Sequence, residues 1–154
     1  MRTLRHAATR RARLLELTFI MFEPALRMLD PVFRRVGHNR IEAAAAWLEA
    51  RTKGPLFDCR MCGECILTST GMTCPMNCPK SLRNGPCGGV RQNGHCEVDA
   101  SMPCVWVEAW AGSKRMRKGA LIANIQRPLD HRLKNRSAWL RHLRLAQSPG
   151  RGEA

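Results

Sequence analysis

Eight cysteines carry most of the chemistry this chain can do: Cys59, Cys62, Cys65, Cys74, Cys78, Cys87, Cys96 and Cys104. The residues before Cys59 and after Cys104 contain none. Thiolates are soft ligands suited to zinc and iron, and short gaps between them let one loop wrap a metal from several sides. Cys59-x-x-Cys62-x-x-Cys65 is such a loop. Ferredoxin-type segments use the same device, often with proline directly after a cysteine. Here Pro75 follows Cys74 and Pro79 follows Cys78. Eight thiols make two four-cysteine sites. The spacing groups Cys59, Cys62 and Cys65 in one and Cys74, Cys78 and Cys87 in the other, with Cys96 and Cys104 completing them in either order. Two 4Fe–4S clusters are the expected cofactors. One or two Zn2+ ions, which take the same ligands, are the alternative.

An even cysteine count also permits disulfides, but those need export to an oxidising compartment. The Arg-rich start is followed by no clean apolar core, since Glu16 interrupts Leu14–Phe22. The cysteines are therefore read as reduced ligands in a cytoplasmic protein. An organelle transit peptide is the other reading of that start, and Glu16 and Glu23 oppose it. His95, beside Cys96, could replace a thiolate, although a plain loop residue is the simpler reading. Met61, Met72, Met76 and Met102 suit a soft apolar shell or ordinary packing.

The elements that must position these cysteines are loops flanked by helices. Six glycines and four prolines between Cys59 and Cys104 argue against long regular elements there. On the N-terminal side, Leu14, Leu15, Phe19, Phe22, Leu26 and Leu29 recur at mostly helical steps and predict a helix over 2–29, divided by Pro24. Asp30-Pro31 reads as a boundary before a short helix that Gly37 ends. Asn39 is placed to cap a helix over 41–51, with Lys53-Gly54-Pro55 as its stop. On the C-terminal side, helix is expected near 105–118 and again over 137–146, with a turn at Pro128 and Asp130. Trp106 and Trp110, four apart, would share a helix face as core or shield. The expected fold class is a small, irregular, metal-stabilised domain, mainly α plus coil. Its expected parts are an N-terminal helical extension (1–54), a cysteine-rich metal-binding domain with C-terminal helices (55–145) and a disordered tail (146–154).

The 154 residues carry a formal charge of +14, and 44% of them are hydrophobic. A core of that size is modest, so bound metal would add a substantial share of the folding energy. The basic excess is concentrated after Cys104 and favours an acidic partner. No apolar run approaches the length of a membrane span. Nucleic acid is disfavoured, because few aromatics lie among the basic residues to stack on bases.

The stretch from Cys59 to Trp106 resembles the C-terminal domain of the methylenetetrahydrofolate reductase family. The resemblance rests on Cys59-x-x-Cys62-Gly63-x-Cys65, Thr70-Gly71-Met72-x-Cys74-Pro75, Cys78-Pro79-Lys80, Leu82-Arg83-Asn84-Gly85-Pro86-Cys87-Gly88-Gly89-Val90, Gly94-x-Cys96-Glu97-Val98 and Cys104-Val105-Trp106. Pro128, Leu133, Ser137 and Trp139 extend it to about residue 145, while residues 1–50 lie outside it. The stand-alone form resembles the cysteine-rich small subunit of acetogen-type reductase complexes. The resemblance implies iron–sulfur clusters, electron transfer, a place in folate-dependent one-carbon metabolism and a separately encoded barrel-type reductase as partner.

These residues hold no room for a flavin-binding barrel of about 250 residues, and no Gly-rich nucleotide fingerprint precedes a helix. The chain is therefore not expected to be catalytic alone, and flavin and folate are expected on the partner. A zinc-stabilised interaction module without redox role is the alternative function. A basic nucleic-acid-binding protein is the third.

Overall fold

The computed structural model describes residues 2–146. Five α-helices frame the cysteine segment: α1 (Arg2–Arg10), α2 (Ala12–Val36), α3 (His38–Phe57), α4 (Val105–Ser113) and α5 (Ala138–Ala146). Among the described residues there is no strand. Residues 58–104 form loops with two short 3-10 turns, Leu67–Ser69 and Pro75–Asn77, and a single bridge between His95 and Pro103. The mainly α plus coil class expected from the sequence is the class observed. The tail expected over 146–154 lies outside the described residues, apart from Ala146, which ends α5.

Three expected helix boundaries are absent. The first helix divides at Arg11, not at Pro24, and α2 continues through both Pro24 and Pro31. Each proline removes one N–H that would have reached the carbonyl four residues earlier. Both prolines are exposed, so the carbonyls of Ile20 and Arg27 can take water. Asp30 does not cap a new helix. It is buried mid-helix, accepting from Arg34 Nε at 2.8 Å and standing 3.2 Å from His38 Nε2. Likewise α3 begins at His38, runs through Gly54-Pro55 and stops at Asp58, whose φ of 51° is left-handed. The extra turn buries Phe57 against Ala8, Ala12, Leu67, Met72, Cys74 and Met116.

Other local signals hold. Gly37, at φ 94°, ends α2, and its N–H reaches Phe33 O at 3.0 Å. Ser137 caps α5, its Oγ accepting from Leu140 N at 3.3 Å. Helix α4 is shorter than expected and ends at Ser113, whose hydroxyl donates to Trp110 O at 2.9 Å.

The core is divided into small clusters, and three of the four contain a cysteine. Buried carboxylates join what the apolar residues do not. Glu16 of α2 accepts from the backbone N–H groups of Arg117 and Lys118 at 2.7 and 2.9 Å, tying α2 to the turn after α4. Arg5 of α1 pairs with Glu108 of α4 at 3.2 Å, with His6 also against that carboxylate. Both Arg5 and Glu108 are buried.

The loop after Leu67–Ser69 lies backbone-to-backbone on α4. A Cβ on Gly112 would stand 2.1 Å from Gly71 O, and one on Gly71 would stand 2.1 Å from Ala109 O. Gly112→Ala should therefore lower stability by about 2 kcal/mol or more, because neither backbone can yield without disturbing the other. Chemical denaturation measures this, and an unchanged midpoint would show that α4 slides freely on the loop.

Candidate metal centre

The loop Cys59–Cys65 leaves α3 through two left-handed residues, Asp58 and Met61, and turns again at Gly63. Gly63 is needed at that turn. Its φ is 76°, and a Cβ there would meet Leu133 O at 2.2 Å. The 3-10 turn Pro75–Asn77 is pinned by Asn77, which donates through Nδ2 to Phe57 O at 3.0 Å and accepts from Arg60 Nε at 2.9 Å. These two loops bring Cys59, Cys62, Cys65 and Cys74 to the lining of one cavity of about 20 Å3. Met61, Ile66, Leu67 and Met76 supply its apolar wall, and Glu49, Glu64 and Arg83 also reach it.

This grouping differs from the one spacing suggested. Cys74 faces Cys59, Cys62 and Cys65, while Cys78 packs on the other side with Cys96, Met102 and Val105. The reason is the 3-10 turn between them, which sends two cysteines four residues apart to opposite sides. Cys87 is exposed, with Sγ 3.2 Å from Glu97 Oε1, and Lys80 pairs with the same carboxylate. That pairing with Lys80, and secondarily Cys87, lowers the Glu97 pKa. Cys104 immediately precedes α4, at its N-cap position, and is buried with Trp106 and Ala109. The second set is thus three cysteines near the 94–103 loop and one at a helix start, less gathered than the first.

All eight cysteines are free thiols. Among the described residues, no three His, Cys, Asp or Glu side chains are gathered tightly enough to grip an ion; the first four thiols share a cavity, not a point. Burial pushes the Cys74 thiol up to about 12, with Cys59 and Cys65 adding to it and the backbone N–H groups of Met76 and Arg60 opposing it. Burial likewise pushes Cys59 up to about 11, against the Met61 N–H that reaches its Sγ at 3.4 Å. At neutral pH both thiols keep their protons, so a cation binding here must displace them. Four free thiols on one cavity, two with amide N–H groups aimed at sulfur, form a donor set that fits a thiolate-bound metal.

Two buried charges beside this cavity were not singled out in the sequence. Lys53 and Glu49 lie one turn apart on α3. Both are buried, with Lys53 Nζ 2.6 Å from Glu49 Oε1 and 5.0 Å from the Trp139 ring centre. Glu49 Oε2 also accepts from Ser137 Oγ at 2.9 Å. Burial alone would lower the Lys53 pKa, but Cys65, Glu49 and Cys59 outweigh it and the net shift is upward. The i, i+4 Glu–Lys spacing was visible, but the cover provided by α5 was not.

The other residues singled out fall into place around the loops. His95 is a loop residue, its Nδ1 2.6 Å from Ala100 O. Met61 and Met76 line the first cavity, Met72 packs with Cys74, and Met102 packs with Cys96. Trp106 is buried and donates to Leu82 O at 3.2 Å, whereas Trp110 is exposed. Part of the C-terminal basic excess is engaged internally, through Arg141–Glu64 at 2.5 Å, Arg144–Glu42 and Arg132–Asp130 at 2.9 Å. Among the described residues, no helix is long and apolar enough to cross a membrane.

Fold and site define a mainly helical, cysteine-rich domain whose thiols sit on loops clamped between helices. The chain belongs to the family described as methylene-tetrahydrofolate reductase C terminal, whose model matches residues 38–132. The match bears out the resemblance over residues 59–132 and extends it back over α3, including Glu49 and Lys53, but it stops short of Leu133, Ser137 and Trp139. No curated protein and no solved structure matches the chain.

Proposed function

We propose that this chain is the metal-bearing accessory subunit of a methylenetetrahydrofolate reductase-like flavoenzyme, with its eight cysteines holding two iron–sulfur clusters. The observation that carries the proposal is the convergence of Cys59, Cys62, Cys65 and Cys74 on one cavity in a member of this family. Cys78, Cys87, Cys96 and Cys104 are the remaining four ligands. When bound, such clusters supply one-electron transfer. The chain's own residues do the rest. The Met61, Met76 and Arg60 amides face sulfur and favour the thiolate. Ile66, Leu67 and Met76 give the first site an apolar wall, and Lys53 offsets part of its negative charge. Flavin and folate sit on a separately encoded barrel-type reductase in the cytoplasm.

Zinc is the second reading, because four thiols on one cavity are equally a four-cysteine zinc set. Anaerobic purification with metal analysis and a visible spectrum separates the two. The expected result is a brown protein with about eight iron atoms per chain that co-purifies with the reductase. A colourless protein with about two zinc ions would remove the electron-transfer role and leave a zinc-stabilised interaction module.

A further inference from the structure

Helix α2 has two apolar faces, and the fold uses only one. Leu15, Leu26 and Phe33 pack into the core clusters, and Phe22 lies against Trp139 with ring centres 5.1 Å apart. On the opposite side Leu14, Thr18, Met21, Ala25, Met28 and Val32 are all exposed, Met21 by 77% and Met28 by 81%. Their spacing alternates four and three residues without a break, which is the heptad seam of a coiled coil. The stripe is about 27 Å long at 1.5 Å per residue. No charge falls within it. Glu16 is buried in the fold, and Glu23 points away to Arg27 and His142.

We propose that this stripe is the interface with a second copy of the same chain, formed by antiparallel pairing of the two α2 helices. The argument is self-complementarity. One position of the seam carries Thr18, Ala25 and Val32, and the other carries Leu14, Met21 and Met28. Antiparallel pairing about a two-fold axis near residue 23 sets Thr18 against Met28, Ala25 against Met21 and Val32 against Leu14. Each larger side chain then meets a smaller one, so knobs find holes along the whole seam. Parallel pairing would set large against large and small against small, leaving gaps. A two-fold interface requires one patch to complement itself, and this patch does. The stripe lies outside the family-matched residues 38–132, and the inference stands independently of which metal the cysteines hold.

The net charge of each copy is +14, so added salt should tighten the dimer by screening repulsion. Docking of an acidic partner on the basic surface would weaken instead. The test is sedimentation velocity on the anaerobically purified full chain over a range of protein and salt concentrations. A dimer strengthened by salt is expected. Met28→Asp should weaken it by roughly 100-fold or more, because each dimer would bury two unpaired carboxylates. Its helicity and metal content should be unchanged, since Met28 touches none of the core. Mixing Met28→Asp with Thr18→Lys should restore a heterodimer, because the antiparallel register places residue 28 of one copy opposite residue 18 of the other. A wild-type monomer at every concentration overturns the proposal, as does a dimer indifferent to Met28→Asp. A monomer that loses the reductase, or anionic vesicles, on Met28→Asp would assign the stripe to that occupant and overturn it equally.

Discussion

Cys74→Ser should cost the protein about half of its bound metal, and the half it loses should be the half lost by Cys59→Ser. The two cysteines line one cavity although 15 positions separate them. Cys78, only four positions from Cys74, faces the other set. The informative measurement is metal per chain in single and double variants. Residues that act on one site are non-additive, whereas residues on separate sites add. Cys59→Ser combined with Cys74→Ser should lose no more metal than either alone. Cys74→Ser combined with Cys78→Ser should lose nearly all of it. The grouping suggested by spacing makes the opposite forecast for that second pair. A Cys74/Cys78 double variant that keeps as much metal as either single variant would therefore restore that grouping.

Glu49→Ala should lower stability by about 3–5 kcal/mol, the cost of leaving a buried charge without its partner. Lys53 is only 5% exposed, and its nearest carboxylate is Glu49 at 2.6 Å. The same substitution removes the acceptor of Ser137 Oγ and so loosens the start of α5 from α3. Replacing both members, Glu49→Ala with Lys53→Met, should recover much of the loss, because the orphaned ammonium is gone and an uncharged side chain fills the space beside Trp139. Denaturant unfolding at matched metal content reads both effects. A loss below about 1 kcal/mol for Glu49→Ala would mean that Lys53 reaches water in the folded chain and that the pair is a surface ion pair in energy.

Both experiments turn on features invisible along the chain. The sequence was enough for the cysteine set, the family and most helices, because those signals are local. Gly37 takes a positive φ where the chain must turn, apolar spacing marks much of α2, and the stretch 137–146 reads as helix. The misread boundaries share one cause. Pro24, Pro31 and Pro55 each remove a single hydrogen bond, a local cost that predicts a break. The tertiary structure overrules it where prolines face solvent and where continuing the helix buries Phe57 or anchors Asp30.

From sequence alone, then, come the eight-cysteine set, the loop character of residues 59–104 and membership of the family, since side-chain chemistry and glycine or proline geometry belong to the residues themselves. Three things only the tertiary structure decided. The Pro75–Asn77 turn put Cys74 with Cys59, Cys62 and Cys65. Glu49 and Lys53 became an interior pair when α5 covered α3. The periodic face of α2 divided into a packed side and an exposed side. Each depends on which surface a distant segment buries, and burial is a property of the whole chain, not of spacing.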